Sequence, residues 1–223
     1  MARSKVLVVL LSLALLAMVL TGCLSELRDK ASIQALMNDL DDHDFEIFGQ
    51  WTSSDVDFEV LMGDWEVALG YFADPISIGI ASSGNNPGRI WKSSAEFDHS
   101  LLLYYELDWD LEDYKDHIRK SEGLESEDAY TFLATFIDGN FDPILYLGLD
   151  KEDSDLRITE SVVRVRGNTA TWTKGYAVQG PVNEWKREAS LNLEVDLKKG
   201  TDSKWKISHV QFAWHTDDTK IEN

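Results

Sequence analysis

The chain has one cysteine, Cys23, in 223 residues, so no disulfide can form within it. Positive charge is scarce: Lys and Arg total 21 against 40 Asp and Glu, a net charge of −19. Bulk charge of that sign repels nucleic acid and anionic membrane surfaces, which excludes both as partners at this level, and it keeps a protein dispersed. The histidines, His43, His99, His117, His209 and His215, show none of the spacings of a zinc site. The acidic run 150–155 lacks the glycine and twelfth-position glutamate of a calcium loop, and Ser82-Ser83-Gly84 is no phosphate loop. No metal and no cofactor is expected. Internal repeats and low-complexity linkers are missing too, so the mature chain reads as one domain.

What is present is clearest over residues 158–214, which read as four consecutive strands. Gly167-Asn168 separates 161–166 from 169–179, and 198–203 separates 185–197 from 204–214. In 185–197 the odd positions are Trp185, Arg187, Ala189, Leu191, Leu193, Val195 and Leu197, and every even position is polar. Strict alternation of that length predicts an antiparallel strand with one face on a core and one in water.

Residues 1–22 read as an exported protein's signal peptide. Arg3 and Lys5 precede a run over 6–20 that is apolar except for Ser12 and shorter than the roughly 20 residues a spanning helix needs. Leu20-Thr21-Gly22-Cys23 follows, and it resembles the bacterial lipobox. The resemblance implies that Cys23 is lipidated and becomes the first mature residue, tethering the protein to the membrane of the cell envelope on its extracytoplasmic side. Each buried acyl methylene adds ~0.8 kcal/mol, so several chains make a stable anchor. An uncleaved signal anchor is the alternative. In enterobacteria an aspartate after the cysteine would favour the inner membrane; Leu24 stands there instead.

Ile33, Leu36, Met37 and Leu40 fall on one stripe of a predicted helix over 25–42. A short helix is expected over 44–51. In 55–61, Val56, Phe58 and Val60 alternate with Asp55, Asp57 and Glu59, which predicts a half-buried strand. The succession His43-Asp44-Phe45-Glu46 … Asp55-Val56-Asp57-Phe58-Glu59, together with Val163-Arg164-Val165-Arg166-Gly167-Asn168-Thr169-Ala170-Thr171 and Trp205-Lys206-Ile207-Ser208-His209-Val210-Gln211, resembles the nuclear transport factor 2-like proteins, which include the SnoaL-like cyclases and ketosteroid isomerases. That resemblance implies an α+β cone: a curved antiparallel sheet wrapped round the N-terminal helix, with a mouth that often holds a small molecule. Gly63-Asp64-Trp65 … Pro75-Ile76-Ser77-Ile78 fits the family's short helix and first strand as well, and gives a second register.

In the first register residues 23–223 form a single domain with a large insertion at about 63–157. Helix is expected over 65–72, a loop over 82–88, a strand over 101–107, and a helix on the stripe Leu111, Tyr114 and Ile118. Another helix is capped by Ser126, carries Ala129, Leu133, Phe136 and Ile137 on its buried face, and stops at Gly139.

The family's isomerase base falls at Val60 in the first register and Ile80 in the second. Neither can take a proton, which excludes that mechanism. Arg187, His209 and Gln211 share parity with the apolar inward face. Trp172, Lys174 and Tyr176 do so as well, unless Gly175 carries a bulge. The pocket expected from these residues has Trp172 and Tyr176 as walls, Arg187 as an anion contact, and His209 and Gln211 as hydrogen-bonding groups. The expected function is a non-enzymatic, lipid-anchored module that binds a small amphipathic ligand or a protein partner. The alternatives are a cofactor-free cyclase, dehydratase or isomerase using His209 as acid or base, and an assembly protein with a filled cone. In the closing strand Trp205, Ile207, His209 and Gln211 have one parity, and Val210, Phe212 and Trp214 the other. Either a bulge near Ser208 switches the register, or the second set lies on the outer face and is covered by a homodimer or by the chain's own insertion.

Overall fold

The computed structural model describes residues 23–43, 58–85, 92–99, 119–121, 126–137 and 142–221. In chain order these give helix α1 over residues 23–42 and helix α2, Phe58–Leu69. Strands β1, Phe72–Gly84, β2, Lys92–Phe97, and β3, Arg119–Ser121, follow. Helices α3, Ser126–Ile137, and α4, Pro143–Tyr146, come next. The chain closes with β4, Asp155–Arg166, β5, Thr169–Val182, β6, Trp185–Lys199, and β7, Trp205–Lys220.

The strands form one open sheet in the order β3-β2-β1-β7-β6-β5-β4. All neighbours are antiparallel except β1 and β7, which are parallel, so the sheet is mixed rather than purely antiparallel. One face is covered. Ile33, Met37 and Leu40 of α1, Leu133 and Phe136 of α3, and the inward residues of β1, β5, β6 and β7 share a single core. A smaller cluster joins Ile144 and Leu147 to Tyr176, Val178 and Leu191 at the far end of the long strands. The architecture is therefore α+β: helices packed on one face of a long, open sheet.

Several expectations change at this level. Residues 58–61 lie in α2, not in a strand. Phe58, Leu61, Met62, Trp65, Ala68 and Leu69 recur at helical spacing over twelve residues, and that longer pattern prevails over three alternating positions. The first strand is β1, as the second register has it. It lies beside β7 in the middle of the sheet, so Phe72–Gly84, inside the expected insertion, belongs to the sheet. Helix α2 ends at Leu69, before the expected 72, and Ser82–Gly84 close β1 rather than open a loop. The helix at Ser126 forms, with Ala129, Leu133, Phe136 and Ile137 buried. The elements expected over 44–51, 101–107 and 111–118, and the stop at Gly139, lie outside the described residues.

Gly175 carries no bulge; the irregularity beside it is on the neighbouring strand. Between β4 and β5 the register shifts between Ile158 and Glu160, which leaves Thr159 as the extra residue. A Cβ on Gly175 would stand 2.6 Å from Thr159 Oγ1, so the glycine makes room for its neighbour's bulge. Strand β5 itself stays regular against β6, and Trp172, Lys174 and Tyr176 remain on one face.

Strand β7 carries the second irregularity. Leu197 pairs with Ile207 and Asp196 with His209, so Ser208 is the extra residue. The bulge keeps both apolar sets on one side: Trp205 and Ile207 before it, Val210 and Phe212 after it, all buried. His209 and Gln211 therefore face outward. Trp214 packs inward against Phe132 and Tyr146. The homodimer expected through Val210, Phe212 and Trp214 loses its surface, because the core has already taken those side chains.

Candidate functional site

Strand β5 and helix α1 meet at one edge of the core in a cleft of about 170 Å3, room for roughly six waters at ~30 Å3 each. Trp172, Lys174 and Tyr176 of β5 form one wall, with Met37 and Leu40 of α1 and Phe136 of α3 opposite. Trp172 and Tyr176 are buried because the even residues of β5 face inward. Lys174 shares their face and lays its ammonium 5.5 Å from the centre of the Tyr176 ring, within reach of the ring's negative face. It makes no ion pair among the described residues; Asp41 stands at the exposed rim.

Trp172 is 6% exposed, and its Nε1–H has no acceptor among the described residues. A buried donor left without a partner costs about 1–3 kcal/mol. The cleft thus sets an ammonium beside apolar and aromatic walls, with the Trp172 N–H closed in behind its own ring. Such a site suits a small molecule with an apolar body and a carboxylate or carbonyl end. Ile80, at the family's base position in the second register, is buried in the core.

The other three expected site residues lie elsewhere. Arg187 is held in a bidentate pair with Asp218: Nε donates to Oδ1 at 2.8 Å and Nη2 to Oδ2 at 2.7 Å, while Nη1 donates to the Leu147 carbonyl at 2.7 Å. The hydrogen bond to Asp218 raises the guanidinium's pKa further, against the opposing effect of burial. This arginine is a structural tie, with its donors already engaged. His209 and Gln211 are on the opposite side of the sheet from the cleft, as the Ser208 bulge dictates. Gln211 lies over Gly79, where a Cβ would meet its Oε1, and its Nε2 donates to the Phe212 carbonyl at 3.1 Å.

No family model matches the sequence, and no curated protein does. Among solved structures, an NTF2-like protein with a cystatin-like fold from Novosphingobium aromaticivorans is 13% identical, with 87% of this chain and 86% of that chain covered at a TM-score of 0.35. An NTF2-like superfamily protein from Salmonella enterica is 10% identical, covering 89% and 92% at 0.32. A protein of scytalone dehydratase type, also from N. aromaticivorans, is 12% identical, covering 88% and 90% at 0.34.

Two clusters had no signature in the sequence. On the outer face Ser77 and Ser83 of β1 stand beside His209 and His215 of β7, both pairs six residues apart on parallel strands in register. Ser77 Oγ lies 2.8 Å from His209 Nδ1, Ser83 Oγ 3.0 Å from His215 Nδ1, and His215 Nε2 3.1 Å from Asp217 Oδ2. The serine and histidine of each pair lie more than 130 residues apart in the chain; only the repeated six-residue spacing hints at them. Each serine hydroxyl also lies within donating distance of a backbone carbonyl of β7, Ser208 at 3.3 Å and Trp214 at 3.5 Å. A hydroxyl has one proton, which goes to the carbonyl or to the ring nitrogen according to the histidine tautomer; a neutral His215 that donates Nε2–H to Asp217 accepts at Nδ1 from Ser83.

The second cluster clamps α1 to the turn before β1. Tyr71 Oη donates to Asp39 Oδ2 at 2.6 Å, and the Tyr71 and His43 rings meet edge to face at 5.8 Å. Burial, then the Asp39 hydrogen bond and charge, push the Tyr71 pKa up to about 12. The unfolded chain loses this proton near the ordinary value of about 10. Between those values the folded protein binds more protons, so its stability falls as pH rises. Tyr71→Phe is expected to flatten that alkaline loss, measured as melting temperature against pH up to about 12.

Proposed function

We propose that this protein is an exported lipoprotein, acylated at Cys23, with an NTF2-like domain that binds a small amphipathic carboxylate or carbonyl compound and does no chemistry on it. The observation that carries the reading is one wall of the cleft: Lys174 on the Tyr176 ring, beside Trp172. A ligand oxygen pairs with the Lys174 ammonium, and Met37, Leu40 and Phe136 take its apolar body. The buried wall offers no carboxylate or imidazole to move a proton, which favours binding over catalysis. The enzyme alternative through His209 requires a substrate on the outer face of the sheet.

The test is a set of small aromatic and aliphatic carboxylates followed by thermal shift and calorimetry. At a hundredfold excess over Kd a true ligand adds about 2.7 kcal/mol of stability. Lys174→Met is expected to weaken binding on the order of tenfold or more, the worth of a charge-assisted hydrogen bond, with the unliganded melting temperature unchanged. Equal affinity in Lys174→Met removes the site. Anchoring is tested separately with an alkyne-tagged fatty acid fed to cells. The wild type is expected to take up label and Cys23→Ser none; an unlabelled wild type ends the lipoprotein reading.

A further inference from the structure

The acidic excess of this chain is sorted along the sheet. At one end, neighbouring strands align Arg166 with Thr169, Thr169 with Lys198, and Lys198 with Lys206. Three cations thus cross the outer face of β4, β6 and β7 in one row. Round the corner, the β6–β7 turn is tied to the first turns of α1. Lys199 Nζ lies 2.5 Å from Asp29 Oδ1, and the same oxygen accepts from Trp205 Nε1 at 3.4 Å. Asp29 is therefore neutralised locally, while Arg28 and Lys204 line the open cleft beside it together with Ser25. Arg28, Arg166, Lys198 and Lys204 are exposed, and none of them makes an ion pair among the described residues. Asp202 in the β6–β7 turn and Asp196 on β6 lie among these cations; the denser acidic group stands at the opposite end, where Asp155, Glu188 and Asp217 occupy the outer face and Asp150, Glu152 and Asp153 precede β4.

Distance decides which end a surface feels. Strand β6 has 15 residues, which at ~3.3 Å each spans about 50 Å. Charges are screened over about 8–10 Å at physiological salt. The acidic end is several screening lengths from anything that touches the basic end, so net charge does not govern that contact. Cys23 is exposed and two residues before Ser25, about 3 Å along the helix axis. The acyl attachment point therefore stands beside the cations.

We infer that this basic end rests on anionic lipid headgroups of the membrane to which Cys23 is tethered. Each Lys or Arg near such a surface adds about fivefold to the affinity for it. The ligand cleft, lined by residues 34–41 of α1, then opens toward the aqueous side, roughly 20 Å up the helix from the anchor. The inference rests on the anchoring reading, so the experiment examines that first. Full-length protein is expressed, extracted from membranes in detergent and weighed; a mass without acyl chains on Cys23 overturns the anchor and the tethered orientation together. The acylated protein is then placed in vesicles of phosphatidylcholine alone, or of equal parts phosphatidylcholine and phosphatidylglycerol, and amide hydrogen exchange is followed. Exchange over residues 200–204 is expected to slow on the order of threefold in the anionic vesicles. That protection is expected to vanish at high salt, and in Lys198→Gln/Lys204→Gln/Lys206→Gln with the β5 amides unchanged. Equal exchange in both vesicles, with Cys23 acylated, overturns the proposal and leaves the anchor standing. Protection by RNA or an acidic peptide in place of the anionic vesicles assigns the cations to another partner and overturns it as well.

Discussion

Phe212→Glu is expected to abolish folding, while Gln211→Lys, one position away, shifts the melting temperature by no more than about 2 °C. Phe212 is 0% exposed. It sits between Ile80 of β1 and Leu193 of β6, with the Phe132 ring 5.3 Å away and Phe136 6.3 Å away. Removing such a side chain costs about 3–5 kcal/mol. An unpaired carboxylate in its place adds several more, and the total approaches the ~5–15 kcal/mol that hold a domain folded. Gln211 faces Glu194 across the outer surface, where a lysine gains a partner and displaces no core atom. Far-ultraviolet circular dichroism of the two variants is the measurement. A folded, cooperatively melting Phe212→Glu would mean that β7 carries no bulge at Ser208.

The second large effect is expected at the far end of β6. Asp218→Ala removes the acceptor of a guanidinium whose side chain is only 15% exposed, beside a carboxylate that is 9% exposed. Breaking one side of a buried pair leaves an uncompensated charge and costs about 3–5 kcal/mol, on the order of 10 °C in melting temperature for a chain of this size. The Leu147 carbonyl remains as a neutral acceptor and does not balance the charge. Replacing both partners, as in Arg187→Met/Asp218→Leu, is expected to cost clearly less than Asp218→Ala alone. Urea unfolding of Arg187→Met, Asp218→Leu and the double variant gives the coupling directly. Additive losses would show that the pair is not an energetic unit.

How much of this was legible varies with how local the signal is. The alternation in 185–197 and the stripe Ala129, Leu133, Phe136, Ile137 each lie within one element, and both elements form. Residues 55–61 match a strand over a short window and a helix over a longer one, and the short window misleads. Strand β7 showed two apolar parities, which its own residues cannot reconcile. Its neighbour β6 is one-faced, and that requires the bulge that turns His209 and Gln211 outward. In the cleft, Trp172 and Tyr176 followed from parity alone. The roles of Arg187 and Tyr71 did not, because Arg187 and Asp218 are 31 residues apart, and Tyr71 and Asp39 are 32. No spacing rule joins such partners; only the register of paired strands and the seating of a helix do.

The last strand in the sequence is the fourth in the sheet. Strand β7 alone borders both β1 and β6, so before residues 205–220 are available the described strands form two sheet fragments with no pairing between them. Closing them together is a contact across more than 130 residues, of the kind that forms late. A ribosome delivers this strand after everything else. The sheet therefore stays in two parts until synthesis is nearly complete, and a product cut short before Trp205 is expected to be open to proteolysis.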